Sequence, residues 1–290
     1  MANSLVKQNS HGGNPQNATE GRLILLTPHA SRIIPEELRD QIVLSDPELS
    51  AELIRMTDAY TDELFSFPGA TVVRFPVSRL LVDVERFLDD AQEPMSQVGM
   101  GGIYTHTAHG KKLRRDLQSH ERRYLVTQYY GTHHRRLRTE TQNELDKKGR
   151  ALIVDCHSFP SEPLPCDRDR RSPRPEFCIG TDPFHTPAAL IESTARCIKE
   201  MGYSVGIDRP YAGTMVPMAF YRKDRRVASI MIEVNRSLYM DELAGTKTAG
   251  FGAVREHVQF LLGSIGDFHA GPGSGLWSEP PGGTRTAHLE

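Results

Sequence analysis

The sequence contains no apolar run as long as the roughly 18 to 20 residues that a membrane-spanning helix requires. Its N-terminal segment also lacks the apolar stretch of a secretory signal. These two absences argue against a protein that acts in a membrane or is exported. We therefore expect a soluble, cytoplasmic protein.

A surplus of positive charge is missing as well. The 290 residues include 35 Lys and Arg against 37 Asp and Glu, which gives a formal net charge of −2. Nucleic acids attract proteins mainly through clustered Lys and Arg, so this composition argues against a nucleic-acid partner. The four cysteines include no Cys-x-x-Cys pair, which argues against a thiolate zinc site, and we expect them to be reduced.

Large apolar side chains are scarce at both ends of the chain. Residues 1–20 are rich in Asn, Gly, Ser and Gln, and residues 266–290 are rich in Gly and Pro. Such segments bury too little apolar surface to offset the entropy lost on ordering. We expect a disordered N-terminal tail at 1–20, one domain at 21–265 and a flexible C-terminal tail at 266–290.

Short apolar runs alternate with amphipathic segments between the two tails. The runs predicted to be strands are residues 23–27, 71–75, 80–84, 151–154, 204–207 and 229–234. The segments predicted to be helices are residues 35–39, 47–65, 114–148, 187–201 and 253–262. This alternation predicts an α/β fold, a single domain with a mixed, mostly parallel sheet and helices on both faces.

Polar side chains follow several predicted strands, where ligands collect in open α/β sheets. His29, His157, Glu233 and Arg86 each lie at or just after such a run. Ionisable groups next to a core tend to be paired, metal-bound or catalytic, because an unpaired buried charge is costly. Two imidazoles and one carboxylate form a catalytic type of zinc site. A carboxylate base and an arginine would complete a metal-assisted hydrolase.

Five short blocks occur in the order found in a known family: Pro28–Ser31, Thr57–Asp58, Ser78–Arg79 with Val82–Arg86, Asp155–Ser158, and Ile232–Glu233. On these blocks, over most of residues 23–242, the chain resembles the N-formylglutamate amidohydrolases. The resemblance implies a zinc carboxypeptidase-like (phosphorylase/hydrolase-like) fold. It also implies a small-molecule substrate.

The resemblance implies a metal centre with Zn²⁺ as the cofactor. His29 and His157 match the imidazole ligands of the family. Zinc carboxypeptidases carry a glutamate ligand three residues after the first histidine, and that position here is Arg32, which cannot ligate. The resemblance then makes Asp58 the third ligand, with Asp62 as the alternative. Glu233 matches the general base that takes a proton from the attacking water.

The resemblance also implies residues that hold the substrate. Arg86 is expected to bind a substrate carboxylate through two parallel hydrogen bonds, helped by Arg79. His134 is expected either to donate to the substrate or to be an ordinary helix-surface histidine, and Thr214 is expected to line the acyl site. Glu85 stands where the family usually has Asn. Either the substrate differs from N-formylglutamate, or a nearby arginine engages Glu85.

The resulting hypothesis is a zinc-dependent amidohydrolase that cleaves the amide of a small N-acyl amino acid bearing a carboxylate. One alternative is a zinc peptidase or peptidoglycan amidase of the same fold. Another is a catalytically silent binding module, which Arg32 and Glu85 favour because they replace the expected residues.

Overall fold

Three apolar segments form the centre of a six-stranded sheet in the computed structural model: β1 (Ile24–Thr27), β3 (Ala151–Phe159) and β6 (Val227–Asn235). Every residue of these strands is buried, because helices cover both faces of the sheet. The outer strands are β2 (Thr71–Arg74), β4 (Phe177–Gly180) and β5 (Val205–Ile207).

The strand order is β2-β1-β3-β6-β4-β5. Neighbouring strands are parallel except at β4 and β6, which run antiparallel. The predicted class, a single α/β domain with a mixed and mostly parallel sheet, is therefore confirmed. A separate two-stranded ribbon pairs Met240–Asp241 with Thr246–Lys247.

Six α-helices surround the sheet in the described part of the chain: α1 (Asp46–Met56), α2 (Thr61–Leu64), α3 (Ser119–Leu125), α4 (Gly131–Lys148), α5 (Ala188–Glu200) and α6 (Phe251–Ala270). Leu137 of α4 packs in one core cluster with Ile24 and Leu26 of β1. Leu25 points to the opposite face and joins α5 and α6 in another cluster. Full burial of each such side chain contributes about 1.5 to 3 kcal/mol.

The structure describes residues 23–270. The predicted N-terminal tail and residues 271–290 of the predicted C-terminal tail lie outside this range. Helix α6 continues to Ala270, five residues beyond the expected domain boundary at 265. Within the described residues, no helix combines the length and apolarity needed to cross a bilayer.

The predicted strand at residues 80–84 is wrong. These residues form turns and irregular backbone, although Leu80, Leu81 and Val82 are completely buried in a core cluster that also contains Phe75 and Tyr104. The buried Arg114 guanidinium donates to the carbonyls of Leu80 and Leu81, and thus satisfies acceptors that a strand would pair. The run is apolar because it is buried, and burial alone does not require a sheet.

The predicted helix at 47–65 is interrupted at residues 57–60. α1 ends at Met56, and Tyr60 adopts the left-handed conformation with φ of 67° before α2 begins. The backbone N–H of Asp58 donates to the carbonyl of His29 at 3.0 Å. The interruption therefore carries Asp58 to the end of β1 instead of leaving it on a helix surface.

The predicted helix at 114–148 begins only at Ser119 and contains a π-helical segment, Val126–Tyr130, before α4. Such wide turns occur often at functional sites. Here the wide turn ends at Tyr130 and is followed by His134; the two rings lie 4.3 Å apart and line the main cleft.

His133, one residue away on α4, is expected to make the fold sensitive to acid. Its ring packs edge-on against Phe75, its Nε2 has no hydrogen-bond partner, and burial lowers its pKa to about 3. An unfolded histidine titrates near 6.5, so the unfolded state binds the proton first and stability falls as pH drops below 6.5.

Between pH 7.5 and pH 5 this group is expected to remove about 2 kcal/mol from the free energy of unfolding. Urea titrations at the two pH values measure the loss of unfolding free energy. In His133→Leu this loss should be smaller than in the wild type by about 2 kcal/mol. His120→Leu, at an exposed position of α3, should keep the wild-type loss. Equal losses in all three proteins would contradict the assignment.

Candidate active site

The carboxyl ends of the central strands open into a large cleft of about 1370 Å³. His29 follows β1, while His157 on β3 and Glu233 on β6 are direct neighbours in the strand register. Parallel strands place these side chains at one edge of the sheet. The sequence prediction that strand-end residues converge here is therefore consistent with the geometry.

His29, Asp58 and His157 form a buried cluster whose three donor atoms all lie within 4.8 Å of one another. Asp58 Oδ2 is 3.6 Å from His29 Nδ1 and 2.9 Å from His157 Nδ1. Asp62, the alternative ligand, instead pairs with Arg74 at 3.1 Å and is not part of the cluster. The geometry thus favours Asp58 over Asp62.

Carboxylates hold the outward nitrogens of both histidines. His29 Nε2 lies 2.9 Å from Asp83 Oδ1, and His157 Nε2 lies 2.9 Å from Asp155 Oδ1. Metal-bound histidines usually have such a partner, which fixes the ring and the tautomer. His29 Nδ1 is buried without a hydrogen bond, as expected for an atom that awaits another partner. The donor set and these contacts fit a zinc ion.

Asp83 is the centre of a second network behind His29. Its Oδ2 accepts from Arg79 Nη2 at 2.7 Å and from the Tyr104 hydroxyl at 2.6 Å. Arg79 was expected to bind substrate, but its shortest hydrogen bond is to Asp83. Its free Nη1 lies 4.0 Å from Asp58 Oδ1. The arrangement suits Arg79 to positioning the cluster.

Asp58 is fixed from the other side by Arg236, which is 4% exposed. Arg236 Nη2 donates to Asp58 Oδ1 at 2.9 Å and to the Ser158 carbonyl at 3.2 Å. One oxygen of Asp58 is thereby satisfied, and the other faces the two histidines. A carboxylate held in this way has a fixed orientation toward the two histidines.

Arg32 does not reach the cluster. Its Nη2 donates to the carbonyl of Gly245 at 3.3 Å. Asp58 brings a carboxylate to the two histidines from another segment, so Arg32 does not by itself argue for a silent binding module.

Glu233 faces the cleft beside the cluster. The residue is 6% exposed, and its Oε2 has no hydrogen-bond partner. Burial raises the pKa of Glu233 to about 8. A carboxyl group that titrates close to neutral pH and has a free oxygen is well suited to exchange protons with a bound water.

Glu85 also faces the histidines. Its Oε2 lies 3.3 Å from His157 Nε2 and 3.7 Å from His29 Nδ1. Burial acts to raise the pKa of Glu85, but the His157 imidazole outweighs it and lowers the pKa to about 2. The described ion pairs of Glu85 join it to histidines, which disfavours the alternative in which a nearby arginine engages it.

The model of one protein family matches residues 21–240, and that family is described as N-formylglutamate amidohydrolase. The chain belongs to the N-formylglutamate amidohydrolase family. The predicted resemblance is thereby confirmed, and the chain is a hydrolase of that family. No curated protein matches the sequence.

Two solved structures are similar to the chain. A crystal structure of N-formylglutamate amidohydrolase from Ralstonia eutropha JMP134 is 22% identical, with a TM-score of 0.76, over 87% of this chain and 95% of that one. A gene product from Agrobacterium tumefaciens is 21% identical, with a TM-score of 0.58, over 84% of this chain and 90% of that one. At these identities the likeness supports the fold.

Arg86 lines the amidohydrolase cleft and lacks close acceptors for its guanidinium. Its Nε lies 3.8 Å from Asp83 and its Nη1 lies 3.9 Å from Glu93, so both contacts are longer than hydrogen bonds. The Nε atom is buried without a partner. A substrate carboxylate would supply the acceptors that the guanidinium lacks.

His134 and Thr214 line the cleft but already have partners. His134 Nε2 lies 2.8 Å from the carbonyl of Val84, so this nitrogen carries the proton and the neutral ring leaves Nδ1 as an acceptor. Burial lowers the pKa of His134, which disfavours the doubly protonated donor. The Thr214 hydroxyl lies 2.6 Å from Ser229 Oγ. These contacts suit positioning more than proton donation.

Asp83, Asp155, Tyr104 and Arg236 were not predicted as site residues. Asp83 and Asp155 stand inside the blocks that carried the family resemblance, two or three residues from predicted site residues, and this spacing was an available signal. Arg236 follows Glu233 by three residues at the end of β6. Tyr104 lies in an irregular segment, and the sequence offers no comparable signal for it.

Proposed function

We propose that the chain is a zinc-dependent amidohydrolase that cleaves the amide bond of a small N-acyl amino acid bearing a carboxylate. The observation that carries this proposal is the buried cluster of His29, Asp58 and His157, set beside the unpartnered carboxyl of Glu233. Family membership supports the amidohydrolase class. The donor set supports zinc, because two imidazoles and a carboxylate leave an open position.

The residues divide the hydrolysis between them. His29, Asp58 and His157 would hold the zinc ion, which would supply Lewis acidity, lower the pKa of a bound water and favour the ionised form of Glu233. Glu233 takes a proton from the attacking water, whose oxygen bonds to the acyl carbon. As the carbon–nitrogen bond breaks, Glu233 returns the proton to the leaving amine. The products are the free acid and the amino acid.

Arg86 fixes the substrate during these steps. Its guanidinium presents a planar pair of N–H groups that can bind one carboxylate. The Arg86 carbonyl accepts from the Tyr130 hydroxyl at 3.0 Å, and His134 holds the carbonyl of Val84 two residues earlier. The loop that carries Arg86 is thus attached to the π-helical region, so the scissile amide is held in a constant orientation.

Metal analysis combined with turnover tests the proposal. Protein purified without added metal should contain about one zinc per chain by inductively coupled plasma mass spectrometry and should hydrolyse members of an N-acyl amino acid panel. His29→Ala and His157→Ala should each lose the metal and the activity. His120→Ala, on the exposed surface of α3, should keep both. Full metal content and activity in the His29 and His157 variants would contradict the proposal.

A further inference from the structure

Methionine is concentrated in the cleft far beyond its frequency in the chain. The sequence has nine methionines, and six of them line the cleft: Met56, Met95, Met100, Met215, Met218 and Met231. Methionine is apolar, flexible and polarisable, and it is common where a surface accommodates apolar groups of different shapes. The proposed metal ligands do not explain this enrichment.

Three of the methionines that line the cleft lie on β6 or in the segment that precedes it. Met231 precedes Glu233 by two residues on β6, so the two side chains share a face of the sheet. The backbone N–H of Met215 donates to Asp155 Oδ2 at 2.9 Å, which places this residue beside the cluster. Met218 is 63% exposed and also lines the cleft. We call these three residues the methionine wall.

The methionine wall and Arg86 are associated with different parts of the site. Met95, at the Arg86 side, donates its backbone N–H to Glu93 Oε1, and Glu93 is the carboxylate nearest Arg86 Nη1. If Arg86 holds the carboxylate of the amino acid, the acyl group across the scissile bond points toward Glu233 and the methionine wall.

The charges beside the cluster suit a substrate with one carboxylate. Arg79 is paired with Asp83, and Arg236 is paired with Asp58. Arg171 at the mouth is likewise paired with Asp169. Near the cluster these pairs leave Arg86 as the arginine without a close ion pair, and Glu85 adds a carboxylate 3.3 Å from His157 Nε2. Arg168 and Arg170 also line the cleft, at exposed positions.

The size of the cleft points in the same direction. Its volume of about 1370 Å³ exceeds the roughly 300 to 1,000 Å³ of typical small-molecule sites. A formyl group, with one carbon, would leave the methionine wall in contact with water. A larger apolar acyl group would cover the methionine side chains that a small substrate leaves in contact with water.

We propose that this enzyme prefers substrates with a medium-length aliphatic acyl group, seated on the methionine wall, and a single carboxylate held by Arg86. The inference rests on the proposed amidohydrolase function and names its substrate class. The reaction is unchanged: water adds to the acyl carbon, the amide bond breaks, and a fatty acid and an amino acid leave.

Acyl chain length provides the direct test. The zinc-loaded full chain is assayed with N-formyl-, N-acetyl-, N-butanoyl- and N-hexanoyl-alanine, and with N-formylglutamate. Each added methylene that becomes buried should raise kcat/KM about three- to fourfold, until the wall is covered. N-hexanoyl-alanine should therefore exceed both formyl substrates by at least about tenfold.

Variants of the methionine wall connect the preference to these side chains. Met215→Gln and Met218→Gln keep the length of the side chain but make it polar. Each should lower the ratio of kcat/KM for N-hexanoyl-alanine to that for N-formyl-alanine by about fivefold or more. Met201→Gln, beyond the end of α5 and outside the cleft, should leave the ratio unchanged.

The outcomes separate the two proposals. If the formyl substrates are cleaved at least as well as N-hexanoyl-alanine, the acyl preference is overturned and the amidohydrolase proposal stands. An unchanged ratio in both wall variants also overturns the assignment of the wall. If no member of the series is hydrolysed by zinc-loaded protein, both proposals are overturned.

Discussion

Glu233→Gln is expected to lower kcat for amide hydrolysis by about 10³-fold, within the usual contribution of a general acid–base residue. Glutamine keeps the size of the side chain but cannot take a proton from water or return one to the amine. The change should leave the zinc content at the wild-type level, since the cluster consists of His29, Asp58 and His157. Steady-state kinetics and metal analysis on the same preparation measure both quantities.

The matched control for this variant is Glu256→Gln, on the exposed side of α6. It should retain wild-type kcat, because its carboxylate is exposed to solvent and does not line the cleft. A Glu233→Gln protein that contains zinc and keeps more than about a tenth of wild-type kcat would rule out Glu233 as the proton carrier.

Asp58→Asn is expected to reduce zinc affinity by about 100-fold or more, with activity lost in proportion at limiting zinc. Asparagine is a poor ligand because it carries no charge, yet its oxygen can still accept the hydrogen bond from Arg236. Asp62→Asn is the matched control, because it removes only a partly exposed ion pair with Arg74. Such pairs contribute about 1 kcal/mol or less to stability.

Competition titrations with a chromophoric chelator measure the zinc affinity of the two variants. Thermal unfolding of the metal-free proteins shows whether Asp58→Asn has disturbed the contact with Arg236. If Asp58→Asn binds zinc as tightly as the wild type while Asp62→Asn does not, the ligand assignment is reversed. Equal, wild-type affinity in both variants would mean that neither aspartate is a ligand.

Much of the sheet could be predicted from the sequence, because a strand buried on both faces is a short apolar run. The runs at β1, β3 and β6 were located in this way, and with them the positions of His29, His157 and Glu233. The order of polar residues after these strands then led to the family. These predictions succeeded because a buried strand is a continuous apolar run in the sequence and the strand end is marked by the polar residues that follow it.

The failures come from interactions between distant parts of the chain. Residues 80–84 are as apolar as a strand, but their carbonyls are satisfied by Arg114 and not by a neighbouring strand. The four residues of β4 are too few to stand out from their surroundings. Asp58 lies in a helical pattern that is broken by the hydrogen bond to His29. No window of local sequence contains this information.

The cluster of His29, Asp58 and His157 joins three segments that are far apart along the chain. An unfolded chain rarely brings such segments together, so a cation held by all three would bind the native state almost alone. Its concentration would then enter the folding equilibrium. Each tenfold increase above the dissociation constant would add about 1.4 kcal/mol to the free energy of unfolding. The same three residues that carry the chemistry would also determine how long the chain persists in a cell when the metal is scarce.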